Sequence, residues 1–137
     1  MRDKSQFGRQ LQEVRPISPA ARKYYTPEEY LEMEETAPYR SEYYRGEIFA
    51  MAGGSVNHNR ISSNVNAELN IALRGKTCRV YNSAMRIRVQ SVGLESYPDA
   101  SVVCGEPLFV EGRNDVLTNP SLIVEVASPS TEKPETL

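Results

Sequence analysis

The chain has 137 residues, with 16 Lys+Arg against 18 Asp+Glu for a formal net charge of −2. That length fits one domain and is too short for a large two-domain enzyme, and 39% hydrophobic with 25% charged residues describes a globular chain rather than a disordered one. One histidine, His58, and two cysteines, Cys78 and Cys104, leave too few ligands for a His-rich or four-ligand Cys/His zinc centre.

Residues 1–23 are polar, carry Pro16 and Pro19, and read as a mobile arm. They lack the apolar stretch of a secretory signal, so a cytoplasmic protein with reduced core thiols is expected, one disulfide being the alternative. No apolar run reaches the roughly 18–20 residues of a membrane helix. Thr26-Pro27-Glu28-Glu29 predicts a helix start: Thr26 as N-cap, Pro27 at the first helical position, Glu29 closing a capping box. Tyr30, Leu31 and Met33 give this helix an apolar side, and Pro38 limits it. Glu42 to Met51 reads as strand–turn–strand or as one bent strand, with Gly46 at the special backbone position. Ile61, Val65, Leu69 and Leu73 at four-residue spacing predict a helix over about 57–73 with one core-facing stripe, stopped by Gly75.

The period then changes. Cys78–Tyr81 is a short strand, and Met85-Arg86-Ile87-Arg88-Val89 alternates with period two. Tyr97–Val103 and Leu122–Val126 are apolar runs of the kind covered on both faces. Glu111–Asn114 is loop, and Ser128–Glu132 opens a helix that the sequence does not continue, as in a domain truncated at its C-terminus. The order of elements predicts an α+β fold, a single domain over 24–137 with helices packed on a sheet.

The inventory lacks a nucleophile elbow, a phosphate-cradling glycine loop and a dinucleotide fingerprint, which leaves carboxylates, lysines and arginines to carry chemistry. Asp99 and Glu125 interrupt the two apolar runs. A buried carboxylate costs on the order of 2 kcal/mol or more unless paired or bound to a cation. The pair therefore reads either as a Mg²⁺ (or Mn²⁺) site or as carboxylates bridging to arginines. Glu47, beside Gly46, is a third acidic candidate or an exposed turn residue. His58 opens the second helix, where a lone histidine most often caps or packs. Arg86 and Arg88 share one strand face, which either contacts phosphate or is the wet side of an amphipathic strand.

Tyr30-Leu31, Ser41-Glu42-Tyr43-Tyr44-Arg45-Gly46-Glu47-Ile48, His58-Asn59, Met85–Val89, Tyr97-Pro98-Asp99 and Ile123–Thr131 follow one another in an order that resembles the Uma family of restriction-endonuclease-like proteins. The resemblance covers about residues 24 to 132. It implies a PD-(D/E)xK fold, a mixed β-sheet flanked by helices and incomplete here at the C-terminus, with Mg²⁺-dependent hydrolysis of DNA. By position Asp99 matches the family's first metal-binding aspartate, Glu125 its second metal-binding carboxylate and Glu47 a further acidic residue; His58 matches a helix-start histidine. Ala127 stands where the literal E-x-K motif has lysine, and Ala84 stands where the family often has an acid. The expectation is thus a metal-dependent endonuclease with Asp99, Glu125 and Glu47 catalytic. Two alternatives stand beside it: an inactive remnant that binds nucleic acid or pairs with a second copy as a homodimer through an open sheet edge, and a structural domain.

Overall fold

In the computed structural model, which describes residues 23–51 and 53–127, the first helix forms where its capping chemistry is strongest. α1 spans Pro27–Thr36: Thr26 Oγ1 accepts from the Glu29 amide (3.1 Å) while the Glu29 carboxylate accepts from the Thr26 amide (2.8 Å). Tyr30 and Leu31 are its buried residues. The Tyr30 hydroxyl donates to the Ser41 carbonyl at 2.5 Å, anchoring the helix on the strand that follows.

Strands β1 (Ser41–Tyr44) and β2 (Glu47–Ala50) pair antiparallel around Arg45-Gly46. Both turn residues have positive φ, 47° and 92°, the requirement of a tight two-residue hairpin. Arg45 tolerates it because its amide donates to the Gly93 carbonyl at 2.9 Å. β5 (Leu94–Ser96) pairs antiparallel with β1, Tyr43 opposite Glu95. Tyr30, Leu31, Tyr43 and Ile48 form the core of this unit, with the Tyr30 and Tyr43 rings 5.3 Å apart.

The chain divides into two compact units, one holding α1, β1, β2 and Arg88–Ser96, the other Gly53–Ile87 and the residues from Tyr97 onward. In the second, α2 spans Val56–Ala72 and is capped by Ser55. β3 (Cys78–Asn82), β6 (Ala100–Cys104) and β8 (Leu122–Val124) form an antiparallel sheet with β6 central. β4 (Arg86–Val89) pairs parallel with β7 (Val116–Leu117) through Arg86 and Ile87. The larger sheet is mixed, in the order β2-β1-β5-β4-β7. Among the described residues no helix is long and apolar enough to cross a membrane.

Several expectations need correction. The apolar stripe of α2 is not a buried core stripe: no α2 residue is buried and Ile61 is 49% exposed, because the small sheet meets only part of the helix. β8 is not covered on both faces, since it is an edge strand with Leu122 exposed. Neither Arg86 nor Arg88 lies on a wet face: both are withdrawn from solvent and take carboxylate partners, Asp115 at 3.4 Å and Glu95 at 2.8 Å. The cysteines are not free thiols, for Cys78 and Cys104 face each other across β3 and β6 as a disulfide. The arm over 1–22 and the helix entry at 128–132 lie outside the described residues.

Candidate functional site

Asp99 owes its position to Tyr97-Pro98, both buried, which lead into β6 along an extended path. Asp99 is itself 9% exposed. Its Oδ2 accepts a 2.7 Å hydrogen bond from the Val126 amide and lies 3.3 Å from His58 Nε2. The buried carboxylate is therefore not isolated.

Glu125 follows β8 directly. The register that pairs Ala100 with Val124, continued by one residue, sets Asp99 opposite Glu125, and directly opposed residues of an antiparallel pair present their side chains on the same face. The Val126 amide bonded to Asp99 belongs to the peptide that follows Glu125, so the two acidic positions are neighbours. The environment of Glu125 differs from expectation, however. It is exposed, and the penalty argued for a carboxylate in an apolar run applies to Asp99 alone.

His58 sits in the first turn of α2, where its amide donates to Ser55 Oγ at 3.1 Å. A Cβ at Gly54 would come within 3.0 Å of His58 Nδ1, so the glycine leaves room for the imidazole. Behind it a polar row runs at four-residue spacing: the Ser62 hydroxyl donates to the His58 carbonyl, and Asn66 Nδ2 donates both to the Ser62 carbonyl and, at 2.9 Å, to the Asp99 carbonyl. Asn66 thus ties the helix to the backbone of Asp99. Sequence reasoning missed it, although its spacing from His58 was a signal as regular as the apolar one.

Glu47 lies half-buried at the start of β2 in the first unit. Arg88 is held by Glu95. Arg86 reaches Asp115 and stands 5.7 Å from the Tyr97 ring centre, and its Nε and Nη1 are buried without a hydrogen-bond partner. Arg113 chelates Asp115 and, chiefly through that hydrogen bond, holds the carboxyl below the usual aspartate range. Among the described residues no three of His, Cys, Asp and Glu converge closely enough to ligate one ion. Asp99 and Glu125, neighbouring positions across β6 and β8, are of a donor type that fits a hard cation such as Mg²⁺, which commonly takes one or two carboxylates and completes its shell with water and phosphate.

A family profile described as "Uma2: Putative restriction endonuclease" matches residues 27–136. Two uncharacterized proteins of Synechocystis sp. (strain ATCC 27184 / PCC 6803 / Kazusa) are similar: sll1609, 39% identical over 111 residues, covering 81% of this chain and 63% of its own length; and slr1290, 40% identical over 107 residues, covering 78% and 55%. The crystal structure of a putative nuclease belonging to DUF820 from Anabaena variabilis ATCC 29413 shares the fold, with a TM-score of 0.64, 21% identity, and coverage of 82% of this chain and 63% of that one. The chain thus spans little more than half to two thirds of the length of these relatives.

Proposed function

The chain belongs to the Uma2 family of restriction-endonuclease-like proteins, and on that premise we propose that it is the metal-binding part of a Mg²⁺-dependent endonuclease acting on DNA phosphodiesters. One observation carries the reading: the buried Asp99 and the exposed Glu125 are neighbouring positions at the end of the β6–β8 register, resembling the family's carboxylate pair. Asp99 and Glu125 would hold the ion. A divalent ion there, Mg²⁺ or Mn²⁺, would supply neutralisation of phosphate charge and acidification of an attacking water.

The chain's own residues prepare that step. The Val126 amide and His58 fix the Asp99 carboxylate in one orientation, and Asn66 fixes its backbone. Their ordering is complete before substrate arrives, which is the condition for electrostatic preorganisation. Both strand arginines already hold carboxylates, Arg86 with Asp115 and Arg88 with Glu95, so a phosphate contact by either would require it to exchange that partner. Ala127 supplies no lysine to stabilise developing charge.

The test is nicking of supercoiled plasmid by the whole protein in the presence of Mg²⁺ or Mn²⁺. Wild-type protein nicks; Asp99→Asn lowers the rate by a factor of 10² or more, as expected when a group acting on the transition state is removed. Equal nicking by the variant would remove Asp99 from the chemistry.

A further inference from the structure

Between Glu68 and Glu95 the sequence holds five cations and no acid: Arg74, Lys76, Arg79, Arg86 and Arg88. The structure sorts them. Arg86 and Arg88 are internal and take carboxylate partners. Arg79 is exposed and donates to the Gly105 carbonyl at 3.1 Å. Arg74 and Lys76 are exposed, and among the described residues neither has an ion pair.

Both line a surface cleft of about 310 Å³ at the C-terminal end of α2, with Asn70 and Leu73 on the helix side and Cys78 and Val80 on β3. Gly75, at φ +79° and open on its Cβ side, makes the turn between the two cations. Cations at a helix C-terminus complement its dipole, which accounts for their sign. It does not account for the cleft between them.

We propose that this cleft is a docking site for the phosphate backbone of a nucleic acid. The identification of the polymer rests on the endonuclease reading above; the geometry adds where it lies. His58 and Arg74 stand at opposite ends of α2, about 24 Å apart at 1.5 Å per residue. Along β6 the path from Asp99 to Cys104, which faces Cys78, is about 17 Å at 3.3 Å per residue. The cleft is therefore roughly five to seven duplex steps of 3.4 Å from the carboxylates. A duplex bound at Asp99 reaches Arg74 and Lys76 only if it extends that far.

The experiment is fluorescence anisotropy of a labelled duplex of about 20 base pairs, long enough to span both, titrated in EDTA over a range of KCl. Wild-type protein, Arg74→Glu/Lys76→Glu and the milder Arg74→Gln/Lys76→Gln are compared, with thermal melts to show that each folds. The glutamine pair flattens the slope of log affinity against log salt by about 1.8, two phosphates at about 0.9 each, and the glutamate pair weakens binding at least tenfold. An unchanged slope, or no salt-dependent binding by wild-type protein, overturns the proposal. Intact binding without nicking would overturn the endonuclease reading and leave the docking site standing.

Discussion

Tyr43 shows how a single side chain couples burial to pH. It is 5% exposed, stacks near Tyr30, donates to the Tyr25 carbonyl at 2.7 Å and lies opposite Glu95. Burial first, and the negative field of Glu95 second, push its phenol above the ordinary value of 10.0. The folded state therefore holds this proton more tightly than the unfolded state does. The stabilisation is fully present below pH 10 and is lost as pH rises through the folded value, because the unfolded chain ionises first. Tyr43→Phe is expected to cost about 1 kcal/mol near neutrality through the lost hydrogen bond. It also makes stability fall less steeply above pH 10. Urea melts of both proteins at pH 7 and pH 10.5 check this, and parallel alkaline declines would contradict it.

The elements that carry local signals were legible, and those set by tertiary contact were not. Thr26-Pro27-Glu28-Glu29 specifies α1 within one turn of chain, and Gly46 marks the hairpin. The matching positive φ at Arg45 has no signature, because the residue is held there by Gly93 from another part of the sequence. Arg86 and Arg88 alternate with Ile87 as in a half-wet strand, yet β4 is covered on both sides, and alternation alone does not see a second layer. β5 and β7 are too short to show a period, and β5 holds the buried Glu95 that polarity assigns to the surface. Asp99 and Glu125 each stood out as an acid within an apolar run, but the exposure of Glu125 depends on β8 being an edge. The Cys78–Cys104 bond is likewise a product of register. It closes a separation of 26 residues, for which chain entropy suggests about 3.5 kcal/mol of stabilisation. Cys104→Ser, or reduction of the native protein, is expected to lower the melting temperature by roughly 10 °C. Wild-type melts with and without reductant measure it, and coincident curves would contradict a bond between these strands.

At the scale of the whole molecule, the exposed face of α2, the edge strand β8 and the carboxylates Asp99 and Glu125 all belong to the second unit, whose described part holds the three-stranded sheet, one long helix, β7 and the start of β4. A fold so thinly covered has little stability in reserve, so an ion bound only by the folded state should be visible as stabilisation even if no phosphodiester is cleaved. The linkage is RT ln(1 + [L]/Kd), about 1.4 kcal/mol at ten times Kd, or roughly 4–6 °C for a chain of this size. Mn²⁺ added to metal-free protein is expected to raise the melting temperature by that amount and EDTA to reverse it. Asp99→Asn should abolish the shift, and Glu125→Gln should abolish or halve it, because removing either ligand leaves an incomplete shell. Tyr43→Phe, remote in role, should keep the full shift on a lower baseline. If Mn²⁺ stabilises Asp99→Asn as much as wild-type protein, the ion binds elsewhere, and Asp99 is a buried acid satisfied by His58 and the Val126 amide alone.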